Sequence, residues 1–262
     1  MTKKLLGAAS ALTFAAFASS PAYAANISLL GGTVIGNGYG NSIVYSTVIG
    51  GQNVNLTVTA WSITTASTPK LTAAQVVKYS GGLGITNSNG STDTGSPEHA
   101  IDNEGWYDFL LFQFNTPVDL TGFHIGWEQT DTDATVRYGN VNGAFPNLVN
   151  MTQANFNANV LPNTVQVPGG NSTGDRLIPA IAGEFNTWTI GASNALDMTS
   201  CQYSRGCTPQ PIYDYFKIDS INVTNAVPEP GTWMMMILGI GFAGAAMRRR
   251  QKVAVRYDMA AA

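Results

Sequence analysis

Apolar and polar residues alternate along much of this chain, and the helical spacing of apolar positions is nearly absent. In Asn53-Val54-Asn55-Leu56-Thr57-Val58-Thr59-Ala60-Trp61, every second residue from Val54 to Ala60 is apolar, which places one set of side chains on the core side of a sheet. The same reading predicts strands over Ile27 to Ile35, Ser42 to Ile49, Tyr107 to Phe114, Gly122 to Glu128, Ala134 to Tyr138, Phe185 to Ile190 and Tyr215 to Val223. Asn37-Gly38, Asn89-Gly90, Asn142-Gly143 and Pro168-Gly169-Gly170 mark turns between them. Short strands with this punctuation predict an all-β fold, a single antiparallel β-sandwich of jelly-roll type. Asp108 to Phe114 is almost continuously apolar and is expected as a central strand covered on both faces. Ile85 to Pro97 and Phe145 to Gly174 read as long loops, with room for a helix within Leu148 to Val160.

The two ends follow other patterns. Lys3 and Lys4 precede an apolar run from Leu5 to Ala18, and Pro21-Ala22-Tyr23-Ala24 offers small residues, Ala22 and Ala24, where a signal peptidase needs them. Cleavage after Ala24 is expected, so residues 1–24 are a signal peptide and the mature chain begins outside the cytoplasm. Near the other end, Trp233 opens an uncharged run, Met234 to Met247, that stops at Arg248, Arg249 and Arg250. Apolar side chains favour the bilayer interior and guanidiniums are costly to bury there, so this is the design of a transmembrane helix with a cytoplasmic basic end. The run is short for a helix that usually needs about 20 apolar residues, but Trp233 and the arginines can sit at the two interfaces.

Pro228-Glu229-Pro230, Trp233, the apolar run with Gly239, Gly241 and Gly244, and Arg248 to Arg250 stand in the order of a bacterial PEP-CTERM sorting signal, which this segment resembles. Met234 departs from the family's usual Ala, and twelve residues follow the arginines where such proteins usually stop. The resemblance implies recognition by an exosortase near Pro228-Glu229-Pro230, transient anchoring in the inner membrane, and delivery to the cell surface or beyond. An ordinary C-terminal anchor is the plainer alternative. The expected organisation is a signal peptide, a sandwich ectodomain over 25–226, a sorting signal over 227–251 and a short cytoplasmic tail over 252–262.

Residues 25–226 hold six Lys and Arg against fourteen Asp and Glu, a balance of minus eight. Such a surface repels phosphate backbones and excludes nucleic acid as a partner. The two cysteines, Cys201 and Cys207, fall in the exported part, where an oxidising compartment favours a disulfide closing a small loop. Two thiols without a neighbouring His make an incomplete zinc site.

The acids are concentrated. Glu98, His99, Asp102, Asn103, Glu104, Trp106 and Asp108 precede the central strand, and Trp127, Glu128, Asp131 and Asp133 follow the next one. A hairpin turning at Asn115 to Thr121 would bring the two groups to one end of the sheet. Oxygens from Asp102, Asn103, Asp131 and Asp133 would then suit Ca²⁺, a hard cation that takes 6–8 oxygen ligands. Loop acids that cap turns in solvent are the plain alternative. His99 and His124 are further ligand candidates, His124 being more simply a hydrogen-bonded residue of a strand. The stretch from Val54 to Tyr138, with His99 to Asn103, Asp108 to Phe112, Gly126-Trp127 and Asp131 to Asp133, also resembles a family of exosortase-dependent surface proteins, a likeness that implies an exported β-rich domain and no reaction.

Glu98, Asp102, Glu104 and Glu128 could supply the acid pair of a glycan hydrolase. The chain has no His-Glu-x-x-His and no phosphate loop, and few charged groups, so a non-enzymatic protein is expected. Trp61, Trp106, Trp127 and Trp188 can stack on sugar rings or pack a core; Trp106, beside Gly105 in the acidic loop, is the candidate for an exposed platform. The reading is an exported, exosortase-processed surface or exopolysaccharide-associated matrix protein; a Ca²⁺-dependent carbohydrate-binding module and a glycan hydrolase are the alternatives.

Overall fold

The computed structural model describes residues 22–89, 99–193, 213–226 and 236–245. In the unit Ala22–Ala226 the strands are β1 (Ala22–Ser28), β2 (Thr33–Ile35), β3 (Ser42–Ile49), β4 (Gln52–Ile63), β5 (Leu71–Tyr79), β6 (Gly82–Thr86), β7 (Ile101–Asp102), β8 (Tyr107–Thr130), β9 (Ala134–Gly139), β10 (Asn163–Val167), β11 (Gly174–Leu177), β12 (Phe185–Ala192) and β13 (Asp214–Ala226). One helix, α1 (Gln153–Asn159), lies between β9 and β10, its first turn capped by Thr152 Oγ1, which accepts from the Asn155 amide.

The strands close on themselves. β4 pairs with β5, β5 with β6, β6 with β13, β13 with β8, and β8 again with β4, all antiparallel. This five-stranded ring is a barrel with strands added outside it: β3 and β2 beyond β4, β12, β9 and β10 beyond the first part of β8, β11 beside its second part, and β1 and β7 along β13. The all-β antiparallel expectation holds at that level, while an open two-sheet sandwich gives way to a closed barrel.

The reason lies in β8. The sequence pattern suggested a hairpin with its turn at Asn115 to Thr121, but Tyr107–Thr130 is one strand of 24 residues. Its first part runs between β4 and β12, and its second part pairs with β13 from Asp119 to Thr130. Pro117, which has no N–H to give a ladder, sits where the partners change and where the β12 register shifts between Phe185 and Thr187. The segment lacks the Asn-Gly or Gly-x pair that a tight hairpin turn needs, and Val118 and Leu120 are buried, so apolar burial favours the extended path.

Alternation then sorts β8 between two cores. Leu110, Phe112 and Phe114 join Val58, Val76, Ile85, Phe123, Phe216 and Ile218 in the main cluster, which draws on all five ring strands. Phe109 and Leu111 face the other way, into a smaller cluster with Phe156, Val160 and Leu161 from α1 and its flank. The first part of β8 is therefore covered on both faces, as its continuous apolar run suggested. The span Phe145 to Gly174, read as a loop with room for a helix within Leu148 to Val160, contains α1 inside that range and β10 beyond it; the apolar residues that order it are few, but they meet the outer face of β8.

Candidate metal centre and sorting segment

The acidic residues converge at the end of β8, through β13. Thr130, the last residue of β8, has φ 71°, a value rare for a β-branched residue, and its Oγ1 donates to the Tyr213 carbonyl at 2.6 Å. The chain thereby turns so that Asp131 forms a parallel bridge with Asp214, the first residue of β13. The Asp133 amide donates to Asp214 Oδ1 at 2.9 Å. Carboxylate oxygens of Asp131, Asp133 and Asp214 all come within 4.8 Å of one another.

Asn103 reaches this group from the opposite side of β13, next to β7. Its Nδ2 donates to Asp214 Oδ2 at 2.7 Å and to the Ser193 carbonyl at 3.0 Å, and its Oδ1 accepts from the Asp214 amide at 2.9 Å. Asp102, paired in register with Tyr215, accepts instead from the Glu104 amide at 3.0 Å and stands outside the three-carboxylate group. The predicted meeting of the 102–103 and 131–133 segments thus occurs, but β13 joins them and the postulated hairpin does not exist. Asp214 escaped the sequence reading because it stands 81 residues from Asp133, alone between Tyr213 and Tyr215.

A second loop supports Asp133. A Cβ on Gly169 would lie 2.2 Å from the Thr132 carbonyl carbon and 2.5 Å from the Asp133 nitrogen, so only glycine fits there. The Gly169 amide donates to Asp133 Oδ1, while Thr132 Oγ1 donates to the Gly170 carbonyl at 2.8 Å. Arg176 on β11 closes the loop, with Nη2 donating to Thr132 Oγ1 at 2.9 Å and to the Ser172 carbonyl at 2.6 Å.

Asp214 is only 2 % exposed. Burial, followed by the neighbouring Asp131 and Asp133 charges, pushes its carboxyl up to about 8, while backbone hydrogen bonds at Asp133 and Ser193 pull the other way. Three acids this close are costly to ionise together. A divalent cation with oxygen preference would remove that cost, and Asp131, Asp133 and Asp214 are the residues that could hold it.

The remaining candidates have ordinary partners. His124 Nδ1 lies 2.8 Å from Asp219 Oδ1, and His99 bonds Thr86 Oγ1 at 3.0 Å while stacking on Tyr79. Glu104 accepts from the Tyr215 hydroxyl, which burial and then this carboxylate push upward. Trp188 is fully buried, and Trp127 is covered by Lys217, whose Nζ lies 3.8 Å from the ring centroid. Trp61 donates its Nε1 to Thr59, and Trp106 is half-buried, less open than a free platform. Glu98, Cys201 and Cys207 lie outside the described residues.

At the ends of the barrel chain, Ala22 and Ala24 fall in β1, paired with Ala226 and Thr224, so the strand begins three residues before the expected mature start at Ala25. Of the C-terminal unit, residues 236–245 form a helix, α2, with exposed side chains. Among the described residues no helix is long and apolar enough to cross a membrane. Pro228, Glu229, Pro230, Trp233 and Arg248 to Arg250 lie outside the described residues.

A β-barrel domain followed by a short targeting segment is the class these features define. The family model of the PEP-CTERM protein-sorting motif matches residues 226–250. The chain therefore carries a PEP-CTERM sorting motif, which indicates an exosortase-targeted exported protein of the cell surface or its exterior. No curated protein and no solved structure matches it.

Proposed function

We propose that this protein is a non-enzymatic component of the cell surface or of an exopolysaccharide matrix: a barrel carried across the inner membrane behind a cleaved signal peptide, anchored briefly by its C-terminal helix and processed by an exosortase. The ordered sorting motif at residues 226–250, directly after the last barrel strand, carries this reading. Export to a matrix asks the barrel for solubility and durability, and the acidic balance of residues 25–226 and the doubly covered β8 suit both. Glu229→Ala tests the sorting step. The variant is expected to accumulate as an uncleaved inner-membrane form on immunoblots of cell fractions, and equal release and equal mass for the two proteins would sink the reading.

A second reading, a Ca²⁺-dependent carbohydrate-binding module, is favoured by the convergence of Asp131, Asp133 and Asp214. In it the cation would hold the end of β8 to the start of β13 and shape the neighbouring loops for a glycan. Retention on a glycan column that requires calcium would distinguish it from the first reading, and release of reducing sugar would point to the hydrolase alternative.

A further inference from the structure

All twenty charged residues of the expected mature domain lie in residues 70–226, and residues 25–69 contain no Asp, Glu, Lys, Arg or His. This uncharged part builds β1 to β4, and β2 ends the strand order of the sheet. β2 covers only Ser42, Ile43 and Val44 of β3, so residues 45–49 have no strand on that side among the described residues. Among the described residues the result is a composite open edge. Its outward N–H and C=O groups are offered to whatever can pair with them.

Apolar side chains flank this edge. Leu30, Val34, Ile35 and Val48 are each 46–60 % exposed, four of the eight large hydrophobics exposed among the described residues of the unit 22–226, while Tyr39 turns away to the Asn87 carbonyl at 3.1 Å. Soluble proteins guard open edges with Lys, inward charges, Pro or bulges; β2 and β3 themselves carry no charged residue and no Pro, and Lys78 of β5 reaches only the Gly31 and Gly32 carbonyls ahead of β2. Only the shortness of β2 and the glycine-rich turn after it, with Gly36, Gly38 and Gly40 at positive φ, limit the edge.

We propose that this edge is a self-association surface, at which a second copy of the chain lays its own β2 antiparallel to the first about a twofold axis. Charge selects the occupant. Two copies each carrying minus eight repel over most orientations, and the uncharged 25–69 face is the one through which they can meet without setting like charges against each other. Lys78 of β5 reaches the end of this face, but its Nζ is engaged by the Gly31 and Gly32 carbonyls at 3.1 Å, which leaves an acidic or basic partner little to pair with. Pairing through one short edge buries less than about 1,200 Å², the range of weak and transient contacts. Dimerisation is therefore expected only at high local density, with a midpoint on the order of 0.1–1 mM.

Sedimentation velocity of the mature protein released by the cell, over a concentration series reaching that range, is the test. The weight-average mass should climb towards a dimer for the wild type and for Leu177→Asp, a control at an exposed apolar residue of β11. Val34→Asp, which sets two carboxylates against each other across the axis, should move the midpoint by at least about tenfold while leaving near-UV dichroism and melting unchanged. Ile35→Asp is the second variant should Val34→Asp disturb β2. A wild type that stays monomeric throughout, or folded edge variants that associate like the wild type, would overturn the proposal. A monomeric wild type that instead binds neutral phospholipid vesicles through Val34 would also overturn it and assign the edge to a membrane.

Discussion

Asp214 meets two other carboxylates and almost no water, and its protonation is the most direct handle on the acidic pole. Its folded value of about 8 stands above the ordinary carboxylate value of 3.8, so between these limits the folded state holds the proton more tightly than the unfolded state. The stability it contributes is complete below about pH 4 and is lost as pH rises through about 8. In EDTA, urea midpoints of the wild type should fall across that window, and Asp214→Asn should flatten the slope. The same substitution should lower stability at acid pH, since its NH₂ would face either the Asn103 amide or the Asp133 N–H. Under the calcium reading, millimolar CaCl₂ should raise the wild-type melting temperature relative to EDTA, by the equivalent of about 2.7 kcal/mol at 100 times Kd. Asp131→Asn with Asp133→Asn should abolish that rise and, by removing like charges from Asp214, leave the metal-free protein equally or more stable at neutral pH. An unmoved wild-type melting curve would count against a cation at this pole.

At the scale of elements, β8 does the work of two strands. Its apolar run made a buried central strand legible, because a segment covered on both faces has no polar alternation to show. The continuation past Pro117 was not legible, since a proline and a drop in hydrophobicity look alike whether a chain turns or merely changes partners. The loop carrying Gly169 was readable as a turn, but not as a support: that role comes from its approach to Thr132 and Asp133. Gly169→Ala should therefore cost more than about 1 kcal/mol in urea unfolding, as the loop must lift away and the Asp133 and Thr132 contacts with it. Any calcium shift should shrink in the same variant, which the thermal scan reads in the same samples.

Considered whole, the chain separates a folding unit from an address. Residues 22–226 contain the closed ring and both apolar clusters, and the matched motif begins at the final residue of β13. A chain ended after Ala226 keeps every barrel strand and should fold, melt cooperatively and accumulate in the periplasm. Fractionation and thermal scans would check both parts, and an unfolded product would mean that the C-terminal segment belongs to the fold.

What the sequence determined by itself is local or linear: the strand periodicity of Val54 to Ala60, the burial of Asp108 to Phe114, and a sorting motif whose parts are neighbours along the chain. Each is written in consecutive residues, so no distant partner is needed to recognise it. The tertiary structure decided the rest. Closure of the ring depends on β8 choosing β4 and β13 in turn, and backbone hydrogen bonds carry almost no side-chain information about which strand they join. The acidic pole depends on Asp214, brought beside Asp131 and Asp133 only when β13 pairs with the end of β8, and on Asn103 arriving from β7 on its other side. Three carboxylates meet there because strand pairing over 81 residues overrides their mutual repulsion, a balance that only the folded chain can strike.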